Sequence, residues 1–336
     1  MSTTDTSTTL DAGVATPAIE LITPALGRKH RGLLQEVWHN FKKNRLSLVG
    51  GVIVMVFILI AVFAPLLSPY NPVEQFDAPR GEHHPLPPLS HSREGHLYLL
   101  GSDKFGRDIL SRAFYGTRTL LTLAASSITI ALALGVLMGA VAGYHKGTWV
   151  DELIMRAVDV MLSFPTLVLA IALLGAFGIG KTHIGPITLS NMFKIAVVIA
   201  ITYSPRFARV MRGVVLQEMA EDYVDAAKVS GGSGWQILTR EILVNTIPPL
   251  IVQASLMTAT TVLTSSSLSF LGLGLQPPRP SLGIMLNESR DFLFLRAWWY
   301  PLVPGVFILL IILGFNLLGD GLRDSLDPRQ ARRARL

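Results

Sequence analysis

Glu221-Asp-Tyr-Val-Asp-Ala-Ala-Lys-Val-Ser-Gly231 is a polar, helix-prone island set between two strongly apolar stretches. Within it, Asp225-Ala226-Ala227 is followed four positions later by Gly231. Two small side chains in succession let another protein's surface come close to a helix. A Gly just past a helix end supplies the left-handed turn that reverses the chain. A short helix of this kind, small on its contact face and held between apolar stretches, reads as a docking plug for a partner. It points to a machine whose energy source lies on another chain.

The surrounding chain has 336 residues, 50% of them apolar and 15% charged, with a mean hydropathy of +0.46. Soluble domains carry about a quarter charged residues, so this composition fits one polytopic membrane domain. A membrane-crossing helix needs about 20 apolar residues. Residues 46–67, 119–143, 157–178, 191–212, 246–273 and 298–318 supply six such stretches. The fourth is the least apolar, and Pro205 is expected to kink or end it. Trp298, Trp299 and Tyr300 read as an interfacial aromatic belt at the start of the sixth. The expected fold is therefore an all-α membrane protein with six transmembrane helices, spread over a single domain at 31–328. Residues 68–118 form its long outer loop, and residues 213–245 form the loop that carries the island. Residues 1–30 read as a disordered tail and residues 329–336 as a short basic one. The first apolar run exceeds the roughly 7–15 residues of a signal-peptide core, so it reads as an uncleaved span.

Six crossings place both termini on one side. Eighteen of the 29 Lys and Arg fall in 1–45, 144–156, 204–245 and 319–336. The positive-inside rule therefore puts the termini and the island in the cytoplasm. It also accounts for the net charge of +6 as basic membrane flanks and not as nucleic-acid binding. In the outer loop, Pro69, Pro72, Pro79, Pro85, Pro87 and Pro88 make 68–98 irregular. Phe105, Ile109, Leu110, Ala113 and Phe114 then share one face at helical spacing, predicting an amphipathic helix at the outer interface that leads into the second span.

Few patterns carry chemistry. Gly175-Ala-Phe-Gly-Ile-Gly-Lys-Thr182 matches the phosphate-loop pattern, which works between a strand and a helix. Here it follows an apolar span on the side away from ATP, so it reads as an outer turn. Gly135, Gly139 and Gly143 let helices approach closely, within this chain or with a second subunit. The fifth span is rich in hydroxyls. Gln253, Ser255, Thr258, Thr261 and Ser265 are candidates to line a wet path for a polar solute, the alternative being hydroxyls bonded back to their own helix. No acidic or basic residue is read near the centre of a span, which argues against an ion-coupled pump. The chain has no Cys, which excludes disulfides and thiolate metal sites. His83 and His84 are adjacent in a Pro-rich loop, without metal-site spacing. No catalytic residue, cofactor site or metal site is read.

On several motifs the chain resembles the permease subunits of bacterial ABC importers, in particular the C-type subunit of dipeptide, oligopeptide and nickel importers. The resemblance covers about residues 36–328. It is carried by Asn44-Arg-Leu, Leu100-Gly-Ser-Asp-x-x-Gly-Arg-Asp-x-x-Ser-Arg112, Arg156-x-x-Asp159-x-x-x-x-Phe164-Pro165, Tyr223-Val-Asp-Ala-Ala-x-x-x-Gly231, Ser269-Phe-Leu-Gly-Leu-Gly-x-x-Pro277-Pro278 and Asn316-Leu-Leu-Gly-Asp-Gly-Leu-Arg-Asp-x-Leu-Asp-Pro328. The family's cytoplasmic signature looks like Glu-Ala-Ala-x3-Gly-x9-Ile-x-Leu-Pro. Here Asp225 stands for its Glu, Glu241 for its Ile and Val244 for its Pro, while Ala226, Ala227, Gly231 and Leu243 match. The resemblance implies a type I importer permease in the bacterial plasma membrane, forming half of a pore for di- and oligopeptides. It implies as partners a homologous B-type permease, two ATPase subunits that bind ATP and Mg, and an extracytoplasmic binding protein that delivers peptide. Tyr223, Asp225, Ala226, Ala227, Gly231 and Arg240 would make the ATPase-coupling surface. The alternative, a stand-alone secondary transporter or channel, needs an inverted repeat or intramembrane charges, and neither is read.

Overall fold

The capped helix starts set the frame. Asn44 Oδ1 accepts from the amides of Leu46 and Ser47 at 3.0 and 3.4 Å, satisfying amides at the start of α1 (Arg45–Leu67). Asp108 does the same for α2 (Ile109–Tyr144), accepting from the Ser111 amide at 2.7 Å. There follow α3 (Trp149–Ser163), α4 (Thr166–Phe177), α5 (Asn191–Glu218), α6 (Asp222–Val229), the short α7 (Gly234–Gln236), a π-turn at Ile237–Ile242, α8 (Leu243–Phe270), α9 (Leu282–Ser289) and α10 (Trp299–Leu326). Two small antiparallel hairpins complete the chain. One pairs β1 (Ser90–His91) with β2 (Leu97–Tyr98), and the other pairs β3 (Thr182–Ile184) with β4 (Ile187–Leu189). This computed structural model describes residues 41–42, 44–76, 84–92, 94–178, 182–184, 187–292 and 297–326. The expected tails at 1–30 and 329–336 lie outside the described residues, as do His83, Gly180 and Lys181.

Among the described residues, four helical stretches are long and apolar enough to cross a membrane: α1, α2, the run Gly234–Phe270 and α10. The pair α3 and α4 passes the same test only together, with a bend of 101° between them. The protein is thus a mostly helical membrane protein with four or five candidate spans. The break falls inside the third expected span. Pro165 disfavours a helical backbone at the residue before it, and Phe164 is extended at φ −87°, ψ 139°.

The fourth expected stretch departs in the opposite sense. α5 runs unbroken through Pro205 to Glu218. Pro205 has no N–H for the carbonyl of Ile201, and the Ser204 hydroxyl donates to that carbonyl at 3.0 Å in its place. α5 contains too many charges to rank among the apolar helices, yet Ile195, Val198, Ile199, Phe207, Ala208, Met211 and Val215 are all buried. Its principal neighbour is α2, and the glycine stripe makes the contact. A methyl group on Gly135 would overlap Phe207, and one on Gly139 would lie 2.6 Å from Met211 Cβ as well as overlapping the Ala208 carbonyl. One on Gly143 would lie 2.8 Å from Val215 Cβ. The stripe is therefore used within this chain. Because residues 135, 139 and 143 meet progressively later residues of α5, the two helices run parallel. α1 and α10 run antiparallel by a similar device, with Gly50 against Leu317 and Gly314 against Ile53.

The outer segments also differ from expectation. The amphipathic helix predicted before the second span is the first part of α2 itself. Ile109 and Ala113 are fully buried in it, while Phe105 lies in the preceding turn under the Arg107 guanidinium. The aromatic belt reduces to Trp298, since Tyr300 is buried and Trp299 packs on Gly101. The phosphate-loop-like run begins in α4 and ends in β3. It lies between a helix and a strand, the reverse of the order phosphate binding requires.

The α2–α5 contact leads to a direct comparison. Gly139→Ala overpacks a helix pair and should cost about 1–3 kcal/mol. Gly213→Ala, on the open face of α5 with nothing within 4 Å, should be close to neutral. Thermal unfolding of the two detergent-purified variants checks this, with a lowered midpoint expected only for the first.

Candidate functional site

The end of α5 and the start of α8 hold α6 between them. Val224 is its one fully buried anchor. Tyr223 donates its hydroxyl to Glu218 Oε2 at 2.6 Å. Asn245 Nδ2 donates to the same carboxylate at 3.2 Å and to the Tyr223 oxygen at 3.1 Å. Burial, followed by the bond to Glu218, holds the Tyr223 phenol above its ordinary pKa. Three elements thus meet in one polar knot. α6 closes with the amides of Ser230, Gly231 and Gly232 donating to the carbonyls of Ala226, Lys228 and Ala227. Gly231 has φ +83° and no atom within 4 Å of where a Cβ would stand. It is required by its dihedral and not by lack of space. Ser233 and Gln236 then form a capping box that starts α7.

The outward face of α6 presents Asp225 and Ala226, with Ala227 half-buried and Val229 90% exposed. Asp225 pairs with Lys228 at 2.8 Å. Arg240, exposed within the π-turn, lies apart from that pair. Glu241 and Val244 are also exposed, and the neighbouring Ile242 is fully buried. A π-turn holds one residue more than an α-turn, which brings Ile242 to the inward position. Behind α6 lies a cavity of about 300 Å³, lined in part by Tyr144, Met219, Val224 and Ile242.

The hydroxyls of α8 divide by their place along the helix. Gln253, Ser255 and Thr258 are half-buried, and Thr258 bonds back to the Ala254 carbonyl at 2.8 Å. Thr261 and Ser265 are fully buried, the latter donating to the Val262 carbonyl at 3.1 Å. Sequence reasoning grouped these residues by type and by helix but had no means of assigning their burial.

Two groups of residues escaped that reasoning. In the first, Asp103 and Arg112 are 0% and 2% exposed, with Arg107 nearly as buried. Arg107 Nε donates to Asp103 Oδ2 at 2.6 Å, and its Nη2 donates to Glu288 Oε2 at 3.0 Å. Arg112 reaches the same two carboxylates at 3.2 and 3.1 Å. Tyr300 adds a hydroxyl 3.4 Å from Glu288. This clamp fastens the start of α2 to α9 and α10. Its signal was present as alternating acids and bases from Asp103 to Arg112. On α5, Arg212 makes a two-pronged pair with Asp151 at 2.7 and 2.8 Å. Arg209 pairs with Asp159 at 2.6 Å, and Arg206 donates to Thr166 Oγ1 at 2.7 Å. α5 thus carries Arg206, Arg209 and Arg212 in its second half, and it is not among the helices that rank as candidate membrane spans. Among the described residues, no group of three or more His, Asp or Glu is placed to hold a metal ion.

The comparisons give the class. Residues 131–332 match the family of the binding-protein-dependent transport system inner membrane component, and residues 32–88 match the N-terminal TM domain of oligopeptide transport permease C. The chain belongs to this family of binding-protein-dependent transport permeases. It is 39% identical over 297 residues to the di/tripeptide transport system permease DppC of Pseudomonas aeruginosa, covering 88% of this chain and 92% of that one. It is 41% identical over 300 residues to the dipeptide permease DppC of Alkalihalophilus pseudofirmus, covering 88% and 90%. It is 37% identical over 295 residues to the glutathione permease GsiD of Pectobacterium atrosepticum, covering 88% and 91%. The protein is a non-catalytic, multi-pass inner-membrane component of such a system.

The outer clamp has a measurable consequence. Glu288→Ala leaves two buried guanidinium groups short of an anion and should cost about 3–5 kcal/mol. Asp159→Ala breaks an exposed pair and should cost no more than about 1 kcal/mol. Denaturant unfolding in mild detergent, followed by tryptophan fluorescence, should rank the two variants in that order.

Proposed function

We propose that the chain forms half of the translocation pore of an ATP-driven importer of di- and oligopeptides, coupled to cytoplasmic ATPases through α6. The observation that carries this reading is the surface of α6: small residues outward, a glycine-dependent reversal behind them, and a polar knot joining it to α5 and α8. A helix of this shape fits a groove on a partner. Movement of that partner would pass through Tyr223, Glu218 and Asn245 to both long helices at once. Asp225, Ala226 and Ala227 would meet the ATPase surface, with Gly231 setting the turn and Arg240 available at its edge.

Helix direction supports the six-crossing reading. Since α2 and α5 run parallel, the chain between them must return across the membrane, and the bent pair α3–α4 is the segment available. The crossings are then α1, α2, α3–α4, α5, α8 and α10, with both termini cytoplasmic. This is the arrangement implied by the likeness to type I importer permeases. The remaining parts would be a homologous B-type permease, two ATPase subunits that carry ATP and Mg, and a binding protein outside. The names of the similar permeases support small peptides as the solute. Gln253, Ser255 and Thr258 are open enough on α8 to face a wet path. Thr261 and Ser265 would reach it only if α8 turned or parted from its neighbours.

Gly231→Val tests the coupling role, because a β-branched residue at positive φ carries a strain of about 1–2 kcal/mol in a place where no packing is disturbed. The complete complex carrying this variant should assemble while losing both dipeptide uptake and binding-protein-stimulated ATPase activity. Normal stimulation in the assembled variant would remove α6 from the coupling route.

A further inference from the structure

One side of α5 is sealed against α2, and the opposite side carries Arg206, Arg209, Gly213 and Gln217, all at least partly exposed. The residues at this helical spacing form a polar stripe, whereas the exposed faces of α1 and α10 are apolar. Such a stripe is unsuited to lipid. A charge at membrane depth faces protein or water.

The charges of the stripe are not equally met. Arg209 has Asp159, and Arg212, nearer the helix end, has Asp151. Arg206 has no carboxylate partner among the described residues. Its Nη2 donates to the Thr166 hydroxyl at 2.7 Å, and its guanidinium lies 5.0 Å from the centre of the Tyr203 ring. Both contacts orient the group without neutralising it. Tyr203 is itself fixed, with its hydroxyl 2.7 Å from Thr264 Oγ1 and donating to the Thr260 carbonyl at 3.1 Å. The guanidinium is therefore held in place at the middle of α5, beside the hydroxyl-rich helix α8.

A planar guanidinium with free N–H groups suits a carboxylate, which it binds through two parallel hydrogen bonds. The α-carboxylate is the anionic group that all unmodified linear peptides share, whatever their side chains. We infer that Arg206 is a carboxylate-binding station on the translocation path, receiving the C-terminal carboxylate of a peptide in transit. The inference rests on the permease reading above, with α5 as a crossing. Partial exposure suits the role, since a group that passes its cargo onward must bind weakly.

The chain has no cysteine of its own, so Arg206→Cys introduces a single thiol. The variant is placed in the complete complex, with its partner permease, ATPases and binding protein, in proteoliposomes. Wild-type complex taken through the same reagents gives the baseline. Uptake of L-alanyl-L-alanine should fall about tenfold, the scale for losing a charge-assisted hydrogen bond, while binding-protein-stimulated ATPase activity persists. Treatment with 2-aminoethyl methanethiosulfonate, which restores a positive charge, should recover uptake, and uncharged methyl methanethiosulfonate should not. The dipeptide should also slow labelling of the thiol. Unchanged uptake, a parallel loss of ATPase activity, recovery that is absent or independent of reagent charge, or labelling unaffected by dipeptide would each overturn the assignment. Failure of the wild-type complex to import the dipeptide with ATP would instead overturn the permease reading beneath it.

Discussion

The contact between α2 and α5 is the constraint on which the rest of the structure depends. Three glycines spaced four apart bring the two backbones together. Without a driving force from water, helices in lipid adhere through close packing, and removing side chains is the simplest way to obtain it. The consequence is unusual for so charged a segment. α5 carries Lys194, Arg206, Arg209 and Arg212 and still lies at the centre of the larger apolar core, because its other face is buried against α2 and α8. With α5 fixed, its lower end presents Glu218 to the polar knot and its open face presents arginines to the carboxylates and hydroxyl of α3 and α4.

How much was legible in the sequence follows from the range of each interaction. The helix at Asp222–Val229 was readable because its signals are local: a polar, helix-prone run, small residues, and a glycine one turn on. Five of the expected spans contain or adjoin helices that pass as membrane-crossing, although α2 begins ten residues early and α10 extends eight residues late. The break at Phe164-Pro165 lay in plain view within a quoted motif, yet apolarity along 157–178 is indifferent to backbone angle. Pro205 misled in the other direction, since its cost is offset by the hydroxyl one residue before it. The outer clamp joins residues 181 and 176 positions apart, and no local pattern reports such a pairing. The hydroxyls of α8 showed the reverse problem: residue types were plain while the burial of each, set by what packs beside that part of the helix, was not.

The molecule has two cohesive regions stacked along its length. One apolar cluster gathers parts of α2, α4, α5, α8 and the π-turn and includes Val224 on the buried face of α6. The other gathers the start of α2 with α9, α10 and part of α1. The knot at Glu218 belongs to the first and the clamp at Glu288 to the second. α2 and α8 contribute residues to both clusters and so join them.

The clamp also bears on how the protein meets the electric field of its membrane. Two guanidinium groups and two carboxylates, held within hydrogen-bonding distance of each other, sum to no formal charge when all are ionised. A single charge carried across the bilayer exchanges about 2.3 kcal/mol with each 100 mV of potential. A neutral quartet exchanges almost none. The clamp itself therefore gives the potential no net charge to act on, and what holds its four members in place is the contacts they make with one another.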